Sequence, residues 1–191
     1  MSLVFPAPAP VTLPVAGGGS FPVHRIYCVG RNYAEHAQEM GFSGREPPFF
    51  FMKPNDALVP VAAGETGTIA YPSLTANLHH EVELVVALGP GGRIFGHAVG
   101  LDMTRRDLQG EMKKQGRPWE IGKAFEQSAP IGPIVPVEAT GALDAGAITL
   151  DVNGQRRQAG DLKELIWNVA ETLEKLAEEV LNRQGVQEKQ E

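Results

Sequence analysis

"HHEVELVVALG", residues 79–89, decides how this chain folds and where its chemistry sits. Side chains alternate between the two faces of a β-strand, so Val82, Leu84, Val86 and Leu88 share one face and Glu81 and Glu83 the other. A strand apolar enough for a core therefore carries two carboxylates side by side. On a solvated face their repulsion costs little. On a buried face each charge needs a cation or several donors, because unpaired burial costs several kcal/mol. Spacing alone leaves both readings open.

A divalent metal is the usual cation for clustered carboxylates, and oxygen-only ligation points to Mg²⁺, Mn²⁺ or Ca²⁺ rather than zinc. Asp102 is the candidate third acid. It follows the strand-like "IFGHAVGL" and precedes a helix expected to begin near Thr104, a junction where active-site residues gather. His79 and His80 read as exposed polar residues or as partners standing behind the acids. His36 and Glu39, three apart on a helix, form a second constellation: a carboxylate beside an imidazole prepares a general base, and the alternative is an ordinary surface pair. Lys53 in "FFFMKP" and Lys123 in "IGKAF" either point at an anionic ligand or snorkel to solvent.

Outward from this strand, "HRIYCVG" (24–30) reads as a strand and "RNYAEHAQEMG" (31–41) as a helix capped by Asn32. "PPFFFMKPNDALVP" is an aromatic strand broken by Pro54, and "GTIAYPS" a short extended piece. "RIFGHAVGLDM" is another strand, "TRRDLQGEMKKQG" a helix capped by Thr104, and "SAPIGPIVPV" a proline-punctuated loop. Asn153-Gly154 between two extended arms is the strongest short hairpin signal available. In the last helix Leu165, Val169, Leu173, Leu176 and Val180 form one apolar stripe, with Asp161 and Glu164 capping its start. Many short strands with a few helices predict an α+β fold with a β-rich core.

The chain's 191 residues suffice for one domain with a core. Five prolines and a "GGGS" in 1–23 predict an extended N-terminal arm, 24–181 a single catalytic-type domain, and 182–191 a polar tail. The net charge of −6 and the absence of a basic cluster argue against a nucleic-acid partner. No apolar run reaches membrane-spanning length, which argues against a membrane partner. A lone Cys28, and no Lys or Arg in the first 23 residues, predict a reducing, cytoplasmic setting. There is no phosphate-binding glycine loop, no serine elbow and no cysteine-based metal spacing.

Five blocks in order, "YCVGRNYAEHAQEMG", "PPFFFMKPNDALV", "HHEVELVVALG", "GLDMTRRDLQ" and "GKAFEQSAPIGP", resemble the fumarylacetoacetate hydrolase superfamily, most closely its bacterial fumarylpyruvate hydrolase and acylpyruvase branch. The resemblance implies a mixed β-roll, a homodimer, and a Mg²⁺ or Mn²⁺ ion held by Glu81, Glu83 and Asp102. It implies that His36 and Glu39 activate water and that Lys123 and Gln109 line the pocket, with Arg31, Asn32 and Lys53 as further pocket candidates. The implied reaction is hydrolytic carbon–carbon cleavage of an acylpyruvate, fumarylpyruvate first, with oxaloacetate decarboxylation as the neighbouring alternative. The resemblance also implies a further strand and a "TGTP" loop after the last helix. The chain has neither motif, so the roll is expected to be C-terminally incomplete, and a fold-retaining, non-catalytic homologue is the rival from another class.

Overall fold

The computed structural model describes residues 3–33 and 45–179. It contains strands β1 (Thr12–Pro14), β2 (Ser20–Pro22), β3 (Ile26–Gly30), β4 (Phe49–Lys53), β5 (Leu58–Pro60), β6 (Leu78–His79), β7 (Val82–Leu88) and β8 (Ile94–Leu101). Strand β9 (Thr104–Arg105) leads into helices α1 (Arg106–Gln115) and α2 (Glu120–Lys123), then β10 (Ala129–Ile131), β11 (Val135–Pro136) and the short helix α3 (Val137–Thr140). The hairpin β12 (Ala147–Val152)–β13 (Gln155–Asp161) and helix α4 (Val169–Glu179) follow. The fold is α+β, as the pattern of short strands predicts.

Strand β8 is the hub. It pairs antiparallel with β7 along one edge and with β10 and β11 along the other, and β10 pairs in parallel with β5. Gly96 of β8 permits the β11 contact, since a Cβ there would lie 2.4 Å from the Val135 carbonyl oxygen. One face of this sheet buries Ala87, Ala98, Ala129, Ile131 and Ile134 together with Leu58 and Leu13. The other buries Val82 with Ile148 and Leu162 under the β12–β13 hairpin. The strand of the opening stretch is thus covered on both sides, and its alternation separates two core clusters.

Several local expectations are changed by packing. Part of the Pro/Gly-rich start, expected as an extended arm, is extended and packed: β1 and β2 pair, and Leu13, 3% exposed, is part of the main core. Its prolines lie at a strand edge or outside strands, where no ladder donor is needed. "SAPIGPIVPV" is not only loop, because two of its stretches add β10 and β11 to β8. Thr104 does not cap α1; it lies in β9, fully buried, and the helix begins at Arg106 with no side-chain cap. Asp107 instead accepts from the Thr75 hydroxyl at 2.5 Å and the Ala76 amide at 2.9 Å.

The final helix is divided. Asp161 and Glu164 form a reciprocal cap, but on a 3-10 turn at Leu162–Glu164, after which Leu165 is extended. A second reciprocal pair then starts α4: the Asn168 amide donates to Glu171 at 3.1 Å and the Glu171 amide to Asn168 at 3.0 Å. The hairpin signal holds, with Asn153 and Gly154 both left-handed (φ 53° and 74°). The region of the helix expected at 31–41, beyond Tyr33, lies outside the described residues, and so does the cap expected of Asn32. The Asn32 side chain donates to the Trp167 carbonyl and accepts from the Trp167 amide, both at 2.8 Å, fastening the approach to α4. Among the described residues, β3 pairs only with β4 and β7 only with β8; residues of both strands and of α4 line an apolar cavity of about 520 Å³.

Candidate active site

The carboxylates gather where β7 and β8 run out of sheet. Val82 opposes Leu101, and the Asp102 amide donates to the Glu81 carbonyl at 2.8 Å, which places Glu81 and Asp102 next to each other across the pair. Glu83, two residues into β7, adds a third acid on the same side as Glu81.

Lys123 stands between two of them. Its ammonium lies 2.7 Å from Glu81 Oε2, 2.6 Å from Asp102 Oδ2 and 2.7 Å from Thr104 Oγ1, and the residue is 3% exposed. Helix α2 carries it there because residue 122 is glycine: a Cβ at Gly122 would lie 2.9 Å from the Gln109 backbone nitrogen, so only glycine lets α2 rest on α1.

Lys53 supports the arrangement from beneath. It is 2% exposed, donates to the Met103 carbonyl at 3.1 Å and to the Lys123 carbonyl, and stands 2.9 Å from Asp102 Oδ1. That ion pair lacks hydrogen-bond alignment, so among the described residues Asp102 Oδ1 has no hydrogen-bond donor. Burial pulls the Lys53 ammonium below its usual pKa, and Asp102 opposes that pull.

The two glutamates are driven apart. Burial alone would raise Glu81, but Lys123 and Arg106, both bonded to its carboxylate, hold it below the usual range. Glu83 has no ion pair among the described residues. Burial first, then the charges of Glu81 and Asp102, push it up to about 8, with Lys123 opposing. Cys28 and Tyr33 are both raised to about 12, chiefly by burial, so neither is ionised near neutrality.

A cavity of about 180 Å³ opens over these acids. Glu81, Glu83, Asp102, Lys123 and Gln109 line it, as do Arg31 and Asn32. Arg31 adopts a left-handed φ of 59°, a conformation that costs a bulky residue energy and that recurs at functional sites. Its guanidinium lies 5.3 Å from the Phe49 ring centroid. Gln109 accepts from Arg106 at 2.8 Å. Lys53, expected as a pocket residue, underlies Asp102 instead of lining this cavity. His36 and Glu39 fall outside the described residues.

Sequence reasoning passed over Arg106, Lys113, Phe49 and Trp119. Arg106, Gln109 and Lys113 recur at helical spacing, a signal legible once α1 is set to begin at Arg106. Trp119 carries no such signal; its edge-on contact with Phe49, centroids 5.2 Å apart, exists only in the fold.

The donor set fits a hard divalent cation. It is all carboxylate, an ammonium already occupies a cationic position between two of the acids, and the third acid has no counter-ion among the described residues. The geometry is not a closed cage, since among the described residues no three metal-ligating groups are gathered tightly enough to hold an ion.

The family described as fumarylacetoacetate (FAA) hydrolase C-terminal matches residues 25–185. The chain is 44% identical over 142 residues to fumarylpyruvate hydrolase of Ralstonia, covering 69% of this chain and 71% of that protein. It is 41% identical over 160 residues to oxaloacetate tautomerase YcgM of Escherichia coli, covering 78% and 71%. The crystal structure of fumarylpyruvate hydrolase from Pseudomonas aeruginosa in complex with Mn²⁺ and pyruvate superposes with a TM-score of 0.88 at 56% identity, covering 92% of this chain and 80% of that one. With a profile match over most of its length and a shared fold at this identity, the chain belongs to the fumarylacetoacetate hydrolase family.

Proposed function

We propose that this protein is a divalent-metal-dependent hydrolase that cleaves fumarylpyruvate, an acylpyruvate, to fumarate and pyruvate. The observation that carries the reading is the acid cluster Glu81–Glu83–Asp102, bridged by Lys123 and set at the floor of a cavity walled by aromatic rings and cations. The relative solved with Mn²⁺ and pyruvate, and the relatives named fumarylpyruvate hydrolase, support it.

Glu81, Glu83 and Asp102 are the residues that would hold Mg²⁺ or Mn²⁺. When bound, the ion would act as a Lewis acid that polarises the substrate's neighbouring oxygens. His36, oriented by Glu39, is the proposed base that takes a proton from water as it attacks the distal carbonyl carbon. The C–C bond then breaks, and its electron pair remains on the pyruvate fragment as an enolate, which is reprotonated on carbon. Lys123 contributes positive charge where that enolate develops, and its three bonds fix the ammonium before the reaction begins. Arg106 and Gln109 hold Glu81 and the cavity wall in register. A homodimer and a cytoplasmic setting belong to the same proposal.

The 41% identity to an oxaloacetate tautomerase favours a second reading, in which the same residues move a proton at the carbon beside the oxaloacetate ketone. Decarboxylation of oxaloacetate would pass through a related enolate. Incubation with Mg²⁺ or Mn²⁺ and fumarylpyruvate, acetylpyruvate or oxaloacetate, with products followed by mass spectrometry and the enol by absorbance, separates the three. Fumarate and pyruvate formed together above background are the expected result. Acceleration of oxaloacetate enolisation alone would replace the first reading by the second. Binding of Mn²⁺ with no turnover of any of them would leave a non-catalytic member of the family.

A further inference from the structure

The cations around the cavity are not equally occupied. Lys123 is held by Glu81, Asp102 and Thr104; Arg106 is held by Glu81 and Gln109; Lys53 is held by Asp102 and two carbonyl oxygens. Lys113 differs. It projects from α1 two turns beyond Arg106, on the same face, and lines the same cavity from its exposed rim. Among the described residues it forms no ion pair. Its ammonium lies 4.7 Å from the Trp119 ring centroid, a contact that holds it over the aromatic wall without neutralising it. Partial burial, and then the charges of Arg31, Arg106 and Lys123, pull its pKa down, which reports how closely these cations crowd the site.

The wall beneath it is aromatic and angled. Phe49 and Trp119 meet edge to face at 87°, and Arg31 lies over Phe49. The deep end of the cavity holds the acids and the shallow end holds Lys113. We infer that Lys113 is a specificity-determining residue: it binds the carboxylate at the far end of an acyl group that runs from the acids past the Phe49–Trp119 edge to the rim, so that the site prefers dianionic acylpyruvates over those with an uncharged acyl end. The inference rests on the acylpyruvate reading for its substrate class, but the subsite itself is tested by binding alone.

Fumarate and crotonate share a trans four-carbon skeleton and differ in the distal carboxylate. Each is titrated calorimetrically into the Mn²⁺-loaded full chain, as the wild type and as Lys113→Gln, Lys113→Arg and Lys114→Gln. The expected result is a wild-type preference for fumarate of about five- to tenfold, the scale of one charge-assisted contact at a partly exposed rim. That preference disappears in Lys113→Gln and survives in Lys113→Arg and in Lys114→Gln, whose side chain is off the cavity. No wild-type preference, no fumarate binding, or a preference that survives Lys113→Gln overturns the subsite. So does its loss in Lys113→Arg or Lys114→Gln. Turnover of acylpyruvates by the same preparation separates the two proposals: turnover without a fumarate preference overturns only the subsite, and a fumarate preference without turnover overturns only the hydrolase reading.

Discussion

Replacing Glu83 by Gln in the metal-free protein turns the most unusual feature of the acid cluster into a measurement. The Glu83 carboxyl is raised from an ordinary 4.5 to about 8 by burial and by the charges of Glu81 and Asp102. A carboxyl raised in the folded state binds its proton more tightly there than in the unfolded chain. The stability this gives is fully present below pH 4.5 and is lost as pH rises through about 8. At 1.36 kcal/mol per pH unit the whole interval corresponds to about 5 kcal/mol, a ceiling, because solvent reaching the half-buried group trims it towards about 3 kcal/mol. The assay is urea unfolding at a series of pH values between 5 and 9, with divalent ions removed. The difference between wild type and Glu83→Gln isolates this group from the histidines. The wild type is expected to lose stability relative to the variant as pH rises across that range, and Mn²⁺ is expected to restore the wild type at high pH without restoring the variant. Parallel pH profiles for the two proteins, or a wild type that gains on the variant with rising pH, would refute the reasoning.

Three further outcomes follow from contacts in the same region. Lys123→Met removes the cation between Glu81 and Asp102 and is expected to cost about 3–5 kcal/mol in metal-free urea unfolding, with partial rescue by Mn²⁺ and a loss of turnover of about 10²–10³-fold. Gly122→Ala places a methyl group 2.9 Å from the Gln109 backbone nitrogen, so α2 must lift from α1; a fall in turnover with a stability cost of only about 1–3 kcal/mol is expected, and unchanged kinetics would count against α2 as the element that positions Lys123. Asn32→Ala deletes both bonds to Trp167 and is expected to lower thermal stability by an amount equivalent to about 1–3 kcal/mol, measurable by calorimetry, whereas Asn32→Asp keeps the acceptor and is expected to lose less.

Much of the site was legible before any fold was known. Alternation put Glu81 and Glu83 on one face, and the strand-to-helix junction marked Asp102. Both signals are local, because a strand's period and a helix's start are fixed by a few neighbouring residues. The Asn153-Gly154 hairpin was legible for the same reason. The start of α1 was not, because Thr104 has cap chemistry but is drawn into β9 and bonded to Lys123, while Asp107 is drawn to Thr75. Tertiary partners outbid a local cap worth about 1 kcal/mol.

The sequence by itself determined the α+β class, the apolar face of β7, the acidic residue types and the family blocks, since each is written in short-range pattern and residue identity. Only the tertiary structure decided that Lys123 reaches between Glu81 and Asp102, that Lys53 lies beneath rather than in the cavity, and that the proline-rich start packs Leu13 into the core. Those outcomes depend on contacts between residues tens of positions apart, and no local pattern encodes which distant partner will be there. The same holds for Glu83: its place on β7 was readable at once, but its raised pKa comes from burial and from two charges, one of them the distant Asp102, that only folding brings together.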